Sequence, residues 1–256
     1  MIVAVISDLH IGIPETGSND YKINDSKTIE ALDYLYSKAD TIILNGDIVE
    51  CWEAVGISLD TQEYQFEKIK ASHQVLFEYI TNKINAKKMI YVVGNHDDVI
   101  FRRNLFPDVQ KFYVIDKKIL VAHGHQVDFA NADNSFLGKC VTCCIGHAEK
   151  IIFKDIDVVL GDIYDTFARH ENEIYEKCAA EHFLNGAIGV IFGHTHKAYV
   201  ISIGNGWYAN SGCWRDKESG MDVIFADTSP GADLLSYKKI NLSEGGFSLE
   251  NSSDMK

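Results

Sequence analysis

Five short apolar runs in this chain each end in Asp, Asn or His, usually beside a glycine. Ile2–Ile6 runs into Ser7-Asp8-Leu9-His10, Thr41–Leu44 into Asn45-Gly46-Asp47, and Met89–Val93 into Gly94-Asn95-His96-Asp97. Ile119–Ala122 ends at His123-Gly124-His125, and Ile188–Phe192 at Gly193-His194-Thr195-His196. Runs this short and apolar read as buried strands. Open α/β sheets place their sites beyond the C-terminal ends of the strands, where loops converge and helix N-termini point in. In extended chain, positions i and i+2 share a face, so Asp8 with His10, and His194 with His196, can each grip one ion. Gly46 lets the backbone turn tightly enough for Asp47 to project into the same space. A lone strand-end His is more often a hydrogen-bonded structural residue, and a lone Asp after Gly is usually a turn residue or helix cap. Five such segments after five apolar strands make that reading improbable for the set.

Helical patterns separate the first strands. Thr28–Ala39 carries an apolar stripe at Ile29, Leu32, Leu35 and Tyr36, and a long helical stretch is expected from about Thr61 to Asn85. Alternating strands and helices predict parallel pairing with right-handed crossovers. Phe112–Ile115 and Ile119–Ala122 read as a hairpin around Asp116-Lys117-Lys118. From about 134 to 185 the chain turns helical, which reads as a cap inserted between two sheet-forming halves. Short strands then follow at Tyr199–Ile203, Trp207–Ala209 and Asp222–Ala226. The expectation is one domain over 1–242 with that cap, and a loosely held tail over 243–256.

Composition narrows the function classes. With 37 acidic against 24 basic residues the formal charge is −13. Such a surface repels phosphate backbones and anionic lipid heads, which counts against a nucleic-acid partner. It leaves room for a phosphorylated small-molecule substrate, because divalent cations invert the local field. No apolar run approaches the ~18 residues of a membrane span. The chain enters an apolar strand at once without a basic leader, and its six Cys, three of them clustered, do not resemble a secreted disulfide framework. A reducing cytoplasm is the expected setting.

Taken in order, Asp8-x-His10, Gly46-Asp47-x-x-Glu50, Gly94-Asn95-His96-Asp97, His123-Gly124 and Gly193-His194-x-His196 resemble the motif set of the calcineurin-like metallophosphoesterases. The resemblance implies an α/β fold, a four-layer sandwich of two mixed sheets flanked by helices. It also implies two divalent metal ions, with Asp8, His10 and His196 holding the first. Asn95, His123 and His194 would hold the second, Asp47 would bridge both, and His96 matches the family's catalytic histidine. The implied reaction is hydrolysis of a phosphomonoester, phosphodiester or pyrophosphate bond by a hydroxide bridging the metals. A mixed N/O donor set without thiolates suits Mn²⁺, favoured here, or Fe²⁺, Zn²⁺, Co²⁺ or Ni²⁺ better than Ca²⁺. Two ions make hydroxide available at neutral pH and neutralise the phosphoryl oxygens. Asp97 or Asp98 is the candidate to orient the His96 ring. Gly46-Asp47-Ile48-Val49-Glu50-Cys51-Trp52 and the helical insertion look most like the UDP-2,3-diacylglucosamine pyrophosphatase branch. That branch has Arg at the position of His96 and Asp at that of His125, which points to a relative with another substrate.

The remaining signals have bland readings beside them. Cys140-x-x-Cys143-Cys144-x-x-His147 invites zinc, but its spacing is one stripe of an amphipathic helix, so packing is the expectation. Arg102, Arg103 and Arg169 with His170 are candidate substrate contacts, and equally solvated helix charges. Trp52 is a candidate wall of the substrate cleft or a core residue. His125 shares a face with His123 and is a candidate contact to ligand or substrate. A protein-binding scaffold without turnover would be favoured by lost ligands, yet all seven positions and His96 are present. A nuclease of the same superfamily would want a positive groove, which this composition does not supply.

Overall fold

In a computed structural model, the structure describes residues 1–13, 21, 23–52, 58–127, 161–214, 220–243 and 246–251. Two sheets lie face to face. The first has seven strands in the order β12-β11-β10-β1-β2-β3-β4, and the second has five in the order β5-β6-β7-β9-β8. β1 (Ile2–Ile6), β2 (Thr41–Asn45) and β3 (Met89–Val92) pair in parallel, as their helical connections require. β4 (Val109–Gln110) closes that edge in parallel with β3. On the other side of β1 lie β10 (Met221–Asp227), β11 (Leu235–Ser243) and β12 (Gly246–Asn251), all antiparallel. In the second sheet, β5 (Phe112–Ile115) and β6 (Ile119–Ala122) form the expected hairpin. β7 (Gly189–Phe192) runs parallel to β6 and to β9 (Gly206–Asn210), with β8 (Tyr199–Ile203) at the edge.

Side chains alternate across each strand, so each face builds its own core. Val3, Val5, Ile43 and Val92 meet Ile119, Val121, Ile191 and Ala209 between the sheets. Ala4, Ile6, Ile42, Leu44 and Tyr91 face the other way. They pack under α1 (Asp25–Tyr36), α2 (Leu59–Ser72), α3 (Gln74–Asn85) and α4 (Asp98–Arg102). α5 (Gly161–Leu184) covers the outside of the second sheet, placing Tyr175 and Ala179 on Val190, Phe192 and Tyr208. The result is the four-layer α/β sandwich with two mixed sheets.

Three expectations change. The helical stretch after Thr61 is two helices, broken at His73, which leaves helical geometry with φ −120° and ψ 37°. Gly246–Asn251 is not loose tail but a strand whose Phe247 and Leu249 pack on the helix-side core. The far end of the segment read as a cap is an outer layer of the sandwich. The rest of that segment, including the stripe from Cys140 to His147, lies outside the described residues. No helix among the described residues is long and apolar enough to cross a membrane.

Candidate metal centre

The loops after β1 and β2 run side by side at the sheet's C-terminal edge. Asp8 N–H donates to the Gly46 carbonyl (3.0 Å), His10 N–H to Asp47 (3.0 Å) and Ile11 N–H to Ile48 (2.9 Å). This pairing bends the backbone hard. Asp8, His10, Asp47, His194 and His196 all sit at φ between 47° and 70°. Left-handed non-glycine residues cost on the order of 1 kcal/mol each and collect where a site over-determines them. Close approach also explains Gly94, where a Cβ would lie 2.1 Å from Asp47 Oδ1. At Gly46, φ 85° and a would-be Cβ 2.4 Å from His123 Nδ1 make glycine necessary twice over.

Among the described residues three groups of donors result, each with its atoms within 4.8 Å: two match the implied ligand sets, Asp8 with His10 and His196 and Asp47 with His123 and His194, and the third is His10 with Glu50 and His96. Asp8 Oδ1 lies 3.1 Å from His196 Nε2, 3.9 Å from His10 Nε2 and 4.0 Å from His123 Nε2, so it reaches both implied sets. Asp47 Oδ2 is 2.9 Å from His123 Nε2, while its Oδ1 accepts the His96 backbone N–H at 2.9 Å. Asn95, the residue before His96, is buried.

The donor set fits divalent ions. His10 Nδ1 meets Glu50 Oε2 at 2.9 Å and His123 Nδ1 meets the Asn45 carbonyl at 2.8 Å. Both acceptors fix the proton on Nδ1 and turn the Nε2 lone pairs inward, the usual way a protein orients histidine ligands. There His10 Nε2 and His196 Nε2 face each other at 3.4 Å. Asp8 Oδ1, His123 Nε2 and both polar atoms of Asn95 are buried without a hydrogen-bond partner. Inward lone pairs and carboxylates need positive charge between them. In the metal-free protein protons meet that need. Burial works against a charged His123, yet Asp47, Asp8 and the Asn45 carbonyl push it up to about 10. Burial likewise opposes ionised Asp8, but His123 and His196 hold it down to about 2.

Glu50 is the residue that the sequence reading left without a role. It is buried, and its Oε2 lies 2.9 Å from His10 Nδ1 and 2.5 Å from His96 Nδ1. One carboxylate oxygen therefore aims an expected ligand and the expected catalytic histidine together. Burial would lower the His96 pKa, but the charges of Glu50 and Asp47 raise it to about 9. Its place in Gly46-Asp47-x-x-Glu50 was the available signal.

Glu50 replaces the aspartates expected to orient His96. Asp97 turns inward, accepting from Ile48 N–H (2.8 Å), Tyr91 Oη (2.8 Å) and Gly94 N–H (2.6 Å). Burial and the Asp47 charge push its carboxyl up to about 6. Asp98 pairs with Arg102, and Arg103 reaches Asp60 (2.5 Å) and Glu63 (3.5 Å) on α2. These contacts draw both arginines into ion pairs of α4 and α2. Trp52 is buried and stacks on His96, with ring centroids 4.5 Å apart and planes at 18°. His125 is buried with its ring 5.6 Å from that of His123. The side chains of Arg169 and His170 lie outside the described residues.

Residues 1–198 match a family model described as calcineurin-like phosphoesterase. No curated protein matches the chain. Among solved structures, it is similar to a conserved Streptococcus pneumoniae protein described as a predicted phosphoesterase. That match has 14% identity and a TM-score of 0.41, covering 98% of this chain and 97% of the other. Wild-type Vps29 of Entamoeba histolytica, complexed with zinc, matches at 15% identity and a TM-score of 0.42, covering 98% of each. An archaeal phosphodiesterase matches at 16% identity and a TM-score of 0.39, covering 93% of this chain and 98% of its own.

Proposed function

The chain belongs to the calcineurin-like phosphoesterase family, and from that premise we propose that it is a binuclear metal-dependent hydrolase. Its substrate would be a phosphorylated small molecule carrying a phosphomonoester, phosphodiester or pyrophosphate bond. Asp8, His10 and His196 would hold the first ion, Asn95, His123 and His194 would hold the second, and Asp47 would serve both. When bound, two divalent ions supply Lewis acidity that makes water nucleophilic at neutral pH and offsets phosphoryl charge. Manganese is the ion we favour, since the donors are nitrogen and oxygen without thiolate. The observation that carries the reading is the crowding of buried Asp8 and Asp47 carboxylates against the Nε2 atoms of His123 and His196, at 2.9–3.1 Å, beside an Asn95 amide with no hydrogen-bond partner. Carboxylates and imidazole nitrogens crowded in this way are stabilised by positive charge between them.

The chain's own residues then divide the work. Glu50 accepts from Nδ1 of His96, which leaves Nε2 as the nitrogen for proton transfer. In the metal-free protein Glu50 and Asp47 raise the His96 pKa to about 9 against burial, which favours the protonated ring. That is the state needed to protonate a leaving alkoxide. A reducing cytoplasm is the proposed setting.

Metal stoichiometry with turnover tests the proposal. We expect two Mn²⁺ per chain and hydrolysis of at least one of an aryl phosphate, an aryl phosphodiester, a nucleoside diphosphate sugar or a phosphopeptide. Asp47→Ala should lose both ions and at least about 10³-fold in kcat/KM. Two retained ions and full turnover in Asp47→Ala would end the binuclear assignment. Two bound ions in wild type with no turnover would favour the scaffold reading.

A further inference from the structure

Trp52, a candidate cleft wall or core residue, is 3% exposed and lies flat against the His96 ring. The loop carrying it grips His96 from several sides. Cys51 N–H donates to the His96 carbonyl at 3.3 Å, and Glu50 Oε2 takes Nδ1. Glu50 Oε1 accepts the Trp52 backbone N–H at 2.8 Å, so one carboxylate ties the indole-bearing backbone to the imidazole. His10 meets His96 edge-on, with centroids 4.9 Å apart and planes at 88°. Glu50 alone fixes one point of the ring and leaves rotation about that bond open. A stacked indole removes that rotation.

We propose that Trp52 is a positioning residue for His96: its indole fixes the imidazole plane so that Nε2 presents its proton along one direction to the leaving oxygen. This rests on the role given to His96 above. A ring that swings loses alignment in the transition state more than affinity for the ground state. The effect belongs to kcat and to substrates whose leaving group needs a proton.

The test compares Trp52→Leu, Trp52→Met and Trp52→Phe with His96→Asn and the double variants in the Mn²⁺-loaded protein. The substrates are the p-nitrophenyl phosphate, mono- or diester, that wild type hydrolyses and its ethyl counterpart. Metal content and unfolding midpoint are read for each variant, and Trp52→Met replaces Trp52→Leu should the latter not fold. We expect Trp52→Leu to lower kcat on the ethyl ester about 10- to 100-fold with KM nearly unchanged. The p-nitrophenyl ester should lose less, Trp52→Phe should restore most of the rate, and Trp52→Leu should add nothing to His96→Asn. In the metal-free protein, the His96 ring C–H resonances should show an upfield ring-current shift that Trp52→Leu abolishes. A raised KM at constant kcat would make Trp52 a substrate wall and overturn the inference, as would losses that multiply in the double variant. If His96→Asn itself kept full activity, the failure would be that of the proposed mechanism. If His96→Asn fell but Trp52→Leu did not, the failure would be that of this inference alone.

Discussion

His73 and His123 are both buried histidines beside an aspartate, and they differ in what the second ring nitrogen meets. His73 offers Nδ1 to Asp25 Oδ1 at 2.7 Å and Nε2 to the Gly12 carbonyl at 2.9 Å. Both partners are acceptors, so the ring is satisfied as an imidazolium and asks for nothing more. His123 donates from Nδ1 to the Asn45 carbonyl, but its Nε2 points at Asp47 and Asp8 without hydrogen-bond geometry. The first arrangement closes both nitrogens with hydrogen bonds, whereas in the second Nε2 stands in an ion pair 2.9 Å from Asp47 Oδ2, in the place the proposed ion would enter. Burial and a nearby carboxylate are common to both, so neither property identifies a ligand.

That contrast is sharpest at His96, which is aimed like a ligand yet assigned to proton transfer. His96→Asn should keep both ions while kcat falls about 10²- to 10⁴-fold on an alkyl ester, and less on an aryl ester whose phenolate leaves unassisted. Loss of an ion in that variant would move His96 to the ligand side of the comparison. Glu50 serves both kinds of histidine. Glu50→Gln should weaken metal affinity at the His10 site about 10- to 100-fold, and turnover with it. Titration of Mn²⁺ into the metal-free variant checks the first effect separately from the second. Unchanged affinity would mean that Glu50 aims only His96.

The donor residues were legible because each follows a buried parallel strand, where an apolar run stops abruptly at a polar side chain. Glu50 was not, because its partners His10 and His96 lie 40 and 46 positions away in other loops. Sequence adjacency misled in the case of Asp97, whose side chain is turned back to Ile48, Tyr91 and Gly94. β11 and β12 escaped notice for another reason. Lys238, Lys239 and Ser248 break up the apolar pattern on strands near the sheet edge, where one face is solvated. Phe247 and Leu249 did carry a period-two signal.

The smallest expected effect concerns His73. Burial opposes the charge on His73, but the Asp25 hydrogen bond and the Gly12 carbonyl raise its pKa above the ordinary 6.5. Tyr21 packs against the ring edge-on at 5.5 Å and adds no charge at neutral pH. A raised folded-state pKa means the folded chain holds this proton more tightly than the unfolded chain. The stabilisation is therefore fully present below the unfolded value and fades as pH climbs through the folded one. His73→Gln removes the charge and one of two hydrogen bonds, so it should cost about 1–2 kcal/mol at pH 6 with metal content unchanged. Unfolding midpoints of both proteins, measured from pH 6 to 9, should show the gap narrowing as pH rises, because wild-type His73 loses its proton and the variant has none to lose. A gap that widens with pH would mean that His73 folds in neutral, and that one of its two acceptors is met by another donor.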